Sequence, residues 1–226
     1  MAKNLVIFNA ESAYFFFKDP SFYSCVINSD SLACDSVSLS IVLRLIGVRH
    51  KRLHGPDIFS KYLQNNKDCR IAIIGGSPEA QATILAKYYL SDVLFWDKTV
   101  DLMDISEESK LICEFQPIAL FVCLGLRRQE WFVSELLKST DGLPFCHLIA
   151  GVGAAVDFEG ETKKRAGRFM RAAGLEWLPR LIREPRMMPR IIRSIVGCFL
   201  IILNFRVFSR HANKFLLSLS EVGIYD

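Results

Sequence analysis

The sequence predicts an α/β protein: a Rossmann-like, mainly parallel sheet with flanking helices and a basic, amphipathic C-terminal helical appendage. Three observations carry that expectation. Apolar, β-branched runs at 70–74, 118–123 and 146–150 each end in a glycine turn, and the first two lead into a helical pattern. Strands alternating with helices imply a parallel sheet covered on both faces. The chain of 226 residues is 51% hydrophobic, with 17 Phe, enough to bury a substantial core and too apolar for disorder. Charge is also unevenly placed. Residues 162–210 hold twelve Lys or Arg against Glu176 and Glu184, a net +10 within a chain of net +4. The division expected is an α/β domain over 1–172 and a basic appendage over 173–226.

In chain order, residues 5–8 read as a strand closing at Asn9, followed by a helix that stops near Lys18-Asp19-Pro20. A short apolar run at 25–27 precedes polar residues 28–31. Residues 37–45 form a buried helix with Gly47 as its stop. In Gly75-Gly76-Ser77-Pro78-Glu79, Ser77 suits the N-cap, Pro78 the first helical position and Glu79 the first turn; the helix should reach about residue 90. A second strand leads through Gly125 to a helix near Gln129–Lys138, and a third reaches Gly151-Val152-Gly153. Ligands of such sheets bind at the carboxyl ends of the strands, where these turns lie.

From Ser194 to Phe205 no side chain is charged, and Arg193 and Arg206 bracket the run. It is too short to span a bilayer. It suits a helix lying in a membrane interface, or a buried helix with an arginine rim. The seven cysteines include no C-x-x-C pair and sit mostly among apolar neighbours, as expected of reduced thiols in a cytoplasmic protein. The N-terminal apolar run is too short for a secretory signal.

The sequence offers several candidate chemical groups. Asp35 sits at a strand-to-helix junction, where it could be an N-cap or a base. Asn9 could be a turn former or a ligand-orienting group. Gly75-Gly76-Ser77 could hold phosphate oxygens at a helix N-terminus. Gly125 with Gln129-Glu130, and Gly153 with Asp157, lie at turns where a ligand can approach the backbone. No D-x-D motif occurs, and the four histidines lack metal-ligand spacing. No metal or cofactor is therefore expected, and Arg, Lys and backbone N–H groups would have to neutralise any diphosphate.

Several segments resemble the WecG/TagA/CpsF glycosyltransferases. The C-terminal signature resembles Asp157-Phe158, Lys164-Arg165-Ala166, Gly174-Leu175-Glu176-Trp177-Leu178, Arg180-Leu181 and Glu184-Pro185-Arg186. The glycine turn ending in Gln-Glu is similar to Gly125 through Gln129-Glu130, and the early asparagine is similar to Asn9. The Pro-Asp-Gly motif resembles Cys34-Asp35-Ser36, and Arg-x-x-Gly-x-Asp resembles Arg52-Leu53-His54-Gly55-Pro56-Asp57. The chain departs from the pattern at Ile7, where a threonine is common, and at Ser36, where glycine is usual.

The resemblance implies an inverting, metal-independent transfer. A UDP-sugar, of N-acetylmannosamine type or a related hexose, would donate to a polyprenyl-diphosphate-linked saccharide. Asp35 would be the general base, Asn9 would orient sugars, and Arg52 and Gln129 would line the donor site. Gly75, Gly125, Glu130, Gly153 and Asp157 complete the expected substrate-binding set. Arg180, Arg183, Arg186 and Arg190 would meet the acceptor diphosphate and an anionic membrane surface, giving peripheral association with the inner face of the bacterial plasma membrane. A homo-oligomer is compatible with this. A non-catalytic nucleotide-sugar binder within a polysaccharide assembly complex is the alternative. Nucleic acid is not expected, because the apolar run fits lipid better.

Overall fold

A computed structural model describes residues 2–96, 100–163, 167, 170, 177, 178, 181 and 185–215. Six strands form one parallel sheet: β1 (Lys3–Phe8), β2 (Ser31–Cys34), β3 (Ile71–Ile74), β4 (Val93–Trp96), β5 (Ala119–Val122) and β6 (Leu148–Gly151), in the order β2-β1-β6-β5-β3-β4. The helices are α1 (Ala10–Lys18), α2 (Pro20–Ile27), α3 (Val37–Leu45), α4 (Gly55–Asn65), α5 (Pro78–Tyr88), α6 (Ser106–Phe115), α7 (Arg128–Ser139) and α8 (Ala155–Glu159). After them come a 3₁₀ turn at Pro185–Met187, α9 (Met188–Leu203), α10 (Phe205–Ser209) and a second 3₁₀ turn at Ala212–Phe215.

The strands are short and buried on both faces, so alternate residues feed two layers. Leu5, Ile7, Ile71, Ile73, Ala119 and Phe121 point to α4, α5 and α8. Val6, Phe8, Leu32 and Cys34 point the other way, to α1, α2, α3 and the C-terminal helices. Beyond them on that face, Ala72, Ile74, Leu120 and Val122 meet α6 and α7. The apolar run at 25–27 is the last turn of α2, and the helix expected to reach residue 90 ends at Tyr88, with Tyr89 left-handed at its cap.

The C-terminal segment shares the second of these layers. Ile201, Phe208 and Phe215 are buried with Phe8 and Phe16, and the rings of Phe8 and Phe208 lie 5.9 Å apart. Helix α9 crosses α1 at Gly197, where a Cβ would overlap the Ala10 carbonyl oxygen and come 2.6 Å from the Tyr14 nitrogen. Buried Glu11 then receives Arg193 at 2.7 Å and Arg190 at 2.6 Å. A carboxylate in the first turn of α1 is favoured by the helix dipole, and here it also anchors α9.

The other face of α9 is not covered. Met188, Ile192, Ile195, Val196, Phe199, Ile202 and Leu203 are exposed, as are Phe205 and Val207 beyond them. Helix α3, which α9 touches, adds exposed Ile41 and Leu45. One side of α9 is thus a buried helix face with an arginine rim, and the other is an exposed apolar face. Among the described residues no helix is long and apolar enough to cross a membrane.

Candidate active site

The site is built where the strands end. Strand β3 leaves toward β4 and β5 leaves toward β6, so the connections after this adjacent pair diverge and leave a crevice beyond their carboxyl ends. Gly75 and Gly76, both at φ +98°, start the β3 connection; a Cβ on Gly75 would lie 2.9 Å from the Cys123 carbonyl oxygen. Ser77 caps α5, as its sequence context predicts.

Asp35 follows β2, and its N–H donates to the Phe8 carbonyl at 3.1 Å. Because Phe8 pairs with Cys34, Asn9 and Asp35 leave adjacent strand ends side by side, with backbones about 5 Å apart. Asp35 is not the helix cap. That role falls to Ser36, whose Oγ accepts from Leu39 N at 3.3 Å and from Ala10 N at 3.2 Å. Ser36 therefore ties the starts of α1 and α3 together, and the Asp35 carboxylate is not used as a helix cap. That carboxylate is about a third exposed (29%).

Asn9 caps α1 in a reciprocal box with Ser12: its Oδ1 accepts from Ser12 N at 2.9 Å, and its own N–H donates to Ser12 Oγ at 3.1 Å. Its amide nitrogen has no protein partner among the described residues. Asn9 is thus both the turn former and a group with a free donor at the carboxyl end of β1.

Arg52 reaches the same edge through a parallel bridge to Cys34, reinforced by Leu53 N donating to Cys34 O at 2.9 Å. The approach is pinned by His50, whose Nδ1–H donates to Val48 O at 3.0 Å while Nε2 accepts from Ser40 Oγ at 2.7 Å. The next turn brings His54 to Asp35, with Nδ1–H donating to Oδ1 at 2.7 Å. Gly55 then passes beneath the Val152 carbonyl and against Ile7, where a Cβ would meet them at 3.3 and 3.5 Å. His54 is absent from the sequence-predicted set. Nothing local to Asp35 announces a partner 19 residues away.

Gln129 and Glu130 lie inside the protein, 3% and 5% exposed. Gln129 Oε1 accepts from Gly153 N at 3.1 Å and its Nε2 donates to Glu130 Oε1 at 2.8 Å, while Glu130 Oε2 accepts from Arg127 N at 2.7 Å. Gln129 therefore braces the turns after β5 and β6 instead of facing the crevice, lying close enough to Gly151 to forbid a Cβ there. Arg127 holds φ +73°, and its guanidinium lies over Phe15 and pairs with Asp19 at 2.6 Å. Burial pushes the Glu130 carboxyl up from 4.5 to about 7, against the three hydrogen bonds that favour its charged form. A raised carboxylate contributes stability fully present below its unfolded value and lost as pH climbs through the folded one. Between pH 4.5 and 7 the protein should lose on the order of 3 kcal/mol through this group. Thermal melts against pH check this: Glu130→Gln should flatten the slope, even though it weakens the Arg127 contact.

Gly125, at φ +82°, and Gly153, at φ +59°, have open space where a side chain would stand. Gly75 lies three strands from Asn9, about 15 Å across the sheet. Asp157, in α8, pairs with Lys163 at 2.6 Å. Arg186 is exposed in the 3₁₀ turn, and Arg190 is engaged with Glu11. Arg180 and Arg183 lie outside the described residues. No group of three or more His, Cys, Asp or Glu among the described residues could hold a metal ion.

The chain is 26% identical over 195 residues to an N-acetylglucosaminyldiphosphoundecaprenol N-acetyl-β-D-mannosaminyltransferase of Bacillus subtilis (strain 168), covering 81% of this chain and 73% of that one. A protein of the same name from Bacillus spizizenii (strain ATCC 23059 / NRRL B-14472 / W23) is 24% identical over 197 residues, covering 83% and 74%. The model of the WecG/TagA/CpsF glycosyl transferase family matches residues 2–212, nearly the whole described fold including α9, and the chain belongs to that family of glycosyltransferases.

Proposed function

We propose that this glycosyltransferase moves a sugar from a UDP-sugar, of N-acetylmannosamine type or a related hexose, to a polyprenyl-diphosphate-linked saccharide, with inversion and without a metal. The observation that carries this reading is a half-buried carboxylate, Asp35, that no helix cap consumes, set beside Asn9 at the carboxyl end of the sheet. The names of the two Bacillus relatives support an N-acetylmannosamine-type sugar and a diphosphoundecaprenol-linked acceptor.

In this mechanism the acceptor hydroxyl approaches Asp35. As its oxygen bonds to the anomeric carbon, the O–H proton passes to the free Asp35 oxygen. The bond from the anomeric carbon to the diphosphate oxygen breaks on the opposite face, and its electron pair leaves with UDP. Arg52 stands at the Asp35 edge to meet negative charge, and Asn9 offers its free amide N–H to a sugar oxygen. The glycine turns after β3, β5 and β6 give an elongated donor room to lie along the crevice. Arg186 and the sequence-predicted Arg180 and Arg183 would meet the acceptor diphosphate. Arg190 already serves Glu11, so its contribution to that task is indirect.

The direct test incubates the purified protein with a panel of UDP-sugars and undecaprenyl-diphosphate-linked N-acetylglucosamine, and identifies the product by mass spectrometry. Transfer from no UDP-sugar would defeat the proposal.

The acceptor's lipid also gives the bare face of α9 a role. We assign the exposed apolar side chains between residues 188 and 207, together with Ile41 and Leu45, to contact with the anionic inner membrane surface. Exposed Arg44, Arg186, Arg206 and Arg210 stand next to this apolar area in sequence, the charge pattern that suits an anionic surface. Phe199, 61% exposed, should insert. Phe199→Ser should weaken co-sedimentation with phosphatidylglycerol-rich vesicles about tenfold, and added salt should weaken binding of the parent protein. Equal binding by parent and variant would remove α9 from the contact.

A further inference from the structure

We propose that His54 is a positioning residue for Asp35: its imidazole N–H fixes the carboxylate so that Oδ2 alone faces the incoming hydroxyl. The inference rests on the reading of Asp35 as the base, and concerns how that base is held.

Three features of the site support it. First, the contact is short, 2.7 Å, and has a defined polarity. A carboxylate can only accept, so the proton lies on Nδ1 of the ring. Hydrogen bonds from an N–H to a charged carboxylate are the stronger kind.

Second, the ring is carried on well-anchored backbone. Leu53 N donates to Cys34 O at 2.9 Å, and the His54 carbonyl accepts from Asp57 N and Ile58 N, both at 3.0 Å, at the start of α4. Gly55 is packed under Val152. His54 occupies the α4 N-cap position, yet its side chain makes no capping bond. The ring serves the neighbouring carboxylate instead of its own helix.

Third, the carboxylate needs such a restraint. A terminal carboxyl torsion is broad, with no strong intrinsic preference. Asp35 has no helix cap to hold it, because Ser36 takes that position. Among the described residues its Oδ2 has no protein partner, whereas Oδ1 is held by His54. Without the imidazole no side-chain contact among the described residues would fix which of the two oxygens faces the hydroxyl. When Oδ2 takes the proton, Oδ1 keeps accepting from His54, so the restraint persists through the step and His54 neither gains nor loses a proton.

Asparagine and glutamine separate this geometry from mere bulk. The Asn side-chain nitrogen falls near the Nδ1 position, while that of Gln extends toward Nε2. With the UDP-sugar and lipid-linked acceptor, His54→Ala and His54→Gln should each lose roughly 10- to 100-fold in kcat, with KM for both substrates within about twofold of the parent, as expected for a reacting group displaced by about an ångström. His54→Asn should recover most of kcat. Melting temperatures of all three variants are measured alongside, and a kcat loss that follows the melting temperature instead of the donor's position would make His54 structural. Equal kcat for Asn and Ala, or a change confined to KM, would overturn the proposal. Asp35→Asn in the same assay keeps the two readings apart. If Asp35→Asn retains turnover, the base assignment fails; if it is inactive while His54→Ala matches the parent, the base stands and the positioning role fails.

Discussion

Asp35→Asn is expected to reduce sugar transfer by roughly 10²- to 10⁴-fold, the range a positioned general base supplies, while leaving donor affinity close to that of the parent. The structure makes this substitution unusually clean. The amide has the same shape as the carboxylate, and its oxygen can still accept from His54 Nδ1 at the present 2.7 Å. The backbone N–H of residue 35 would still bind Phe8 O, and Ser36 would still cap α3. What changes is the atom that His54 does not hold: an NH₂ group has no lone pair available for the acceptor proton. Loss of turnover with an unchanged melting temperature and unchanged UDP-sugar binding by calorimetry is therefore the signature of a lost base. Parent-level turnover in this variant would mean that the proton leaves by another route. A parallel drop in donor affinity would place Asp35 against the donor.

How much of this could be read from the sequence depended on how local each determinant was. The strand into Gly75-Gly76-Ser77-Pro78 and the helix Val37–Leu45 with its stop at Gly47 were legible because each carries its own cap or breaker within a few residues. Strands β2 and β4 are as short as β3, β5 and β6 but run into no glycine turn, and their pairing with β1 and β3 defines them. Helix α6 has a polar, acidic first turn and reads poorly by hydropathy alone.

The site divides along the same line. Asp35 and Asn9 were visible as residues at element boundaries, but their adjacency comes from the register of β1 on β2. Gln129 reads as a first-turn polar residue that could face a ligand. Its burial follows from Gly151, whose missing side chain leaves room for the amide, a relation across 22 positions. Arg190 reads as one cation in a basic stretch, and its engagement is set by Glu11, at the far end of the chain. Charge totals can identify a basic region without revealing which of its members are already paired.

Gly197→Leu should have the largest effect on the fold, because at this position α9 and α1 come together with no space between their backbones. A Cβ would overlap the Ala10 carbonyl oxygen and sit 2.6 Å from the Tyr14 nitrogen, both main-chain atoms of a helix that cannot turn aside as a flexible side chain can. Relief therefore requires α9 to lift away from α1. That would separate Glu11 from Arg190 and Arg193 and expose Ile201, with Phe208 and Phe215 behind it, from the cluster around Phe8 and Phe16. Overpacking alone costs about 3 kcal/mol at the upper end of the usual range, and for a protein of this size that lowers the melting temperature by roughly 6–12 °C. Ile195→Ser, on the exposed side of the same helix, should change stability by less than about 0.5 kcal/mol. Thermal unfolding of the two variants together with limited proteolysis across residues 185–205 measures the contrast. New cleavage in Gly197→Leu but not in Ile195→Ser is expected. If Gly197→Leu melted with the parent and resisted protease, α9 would not be held against α1 through this close crossing, and the shared aromatic layer would have to be stable without it.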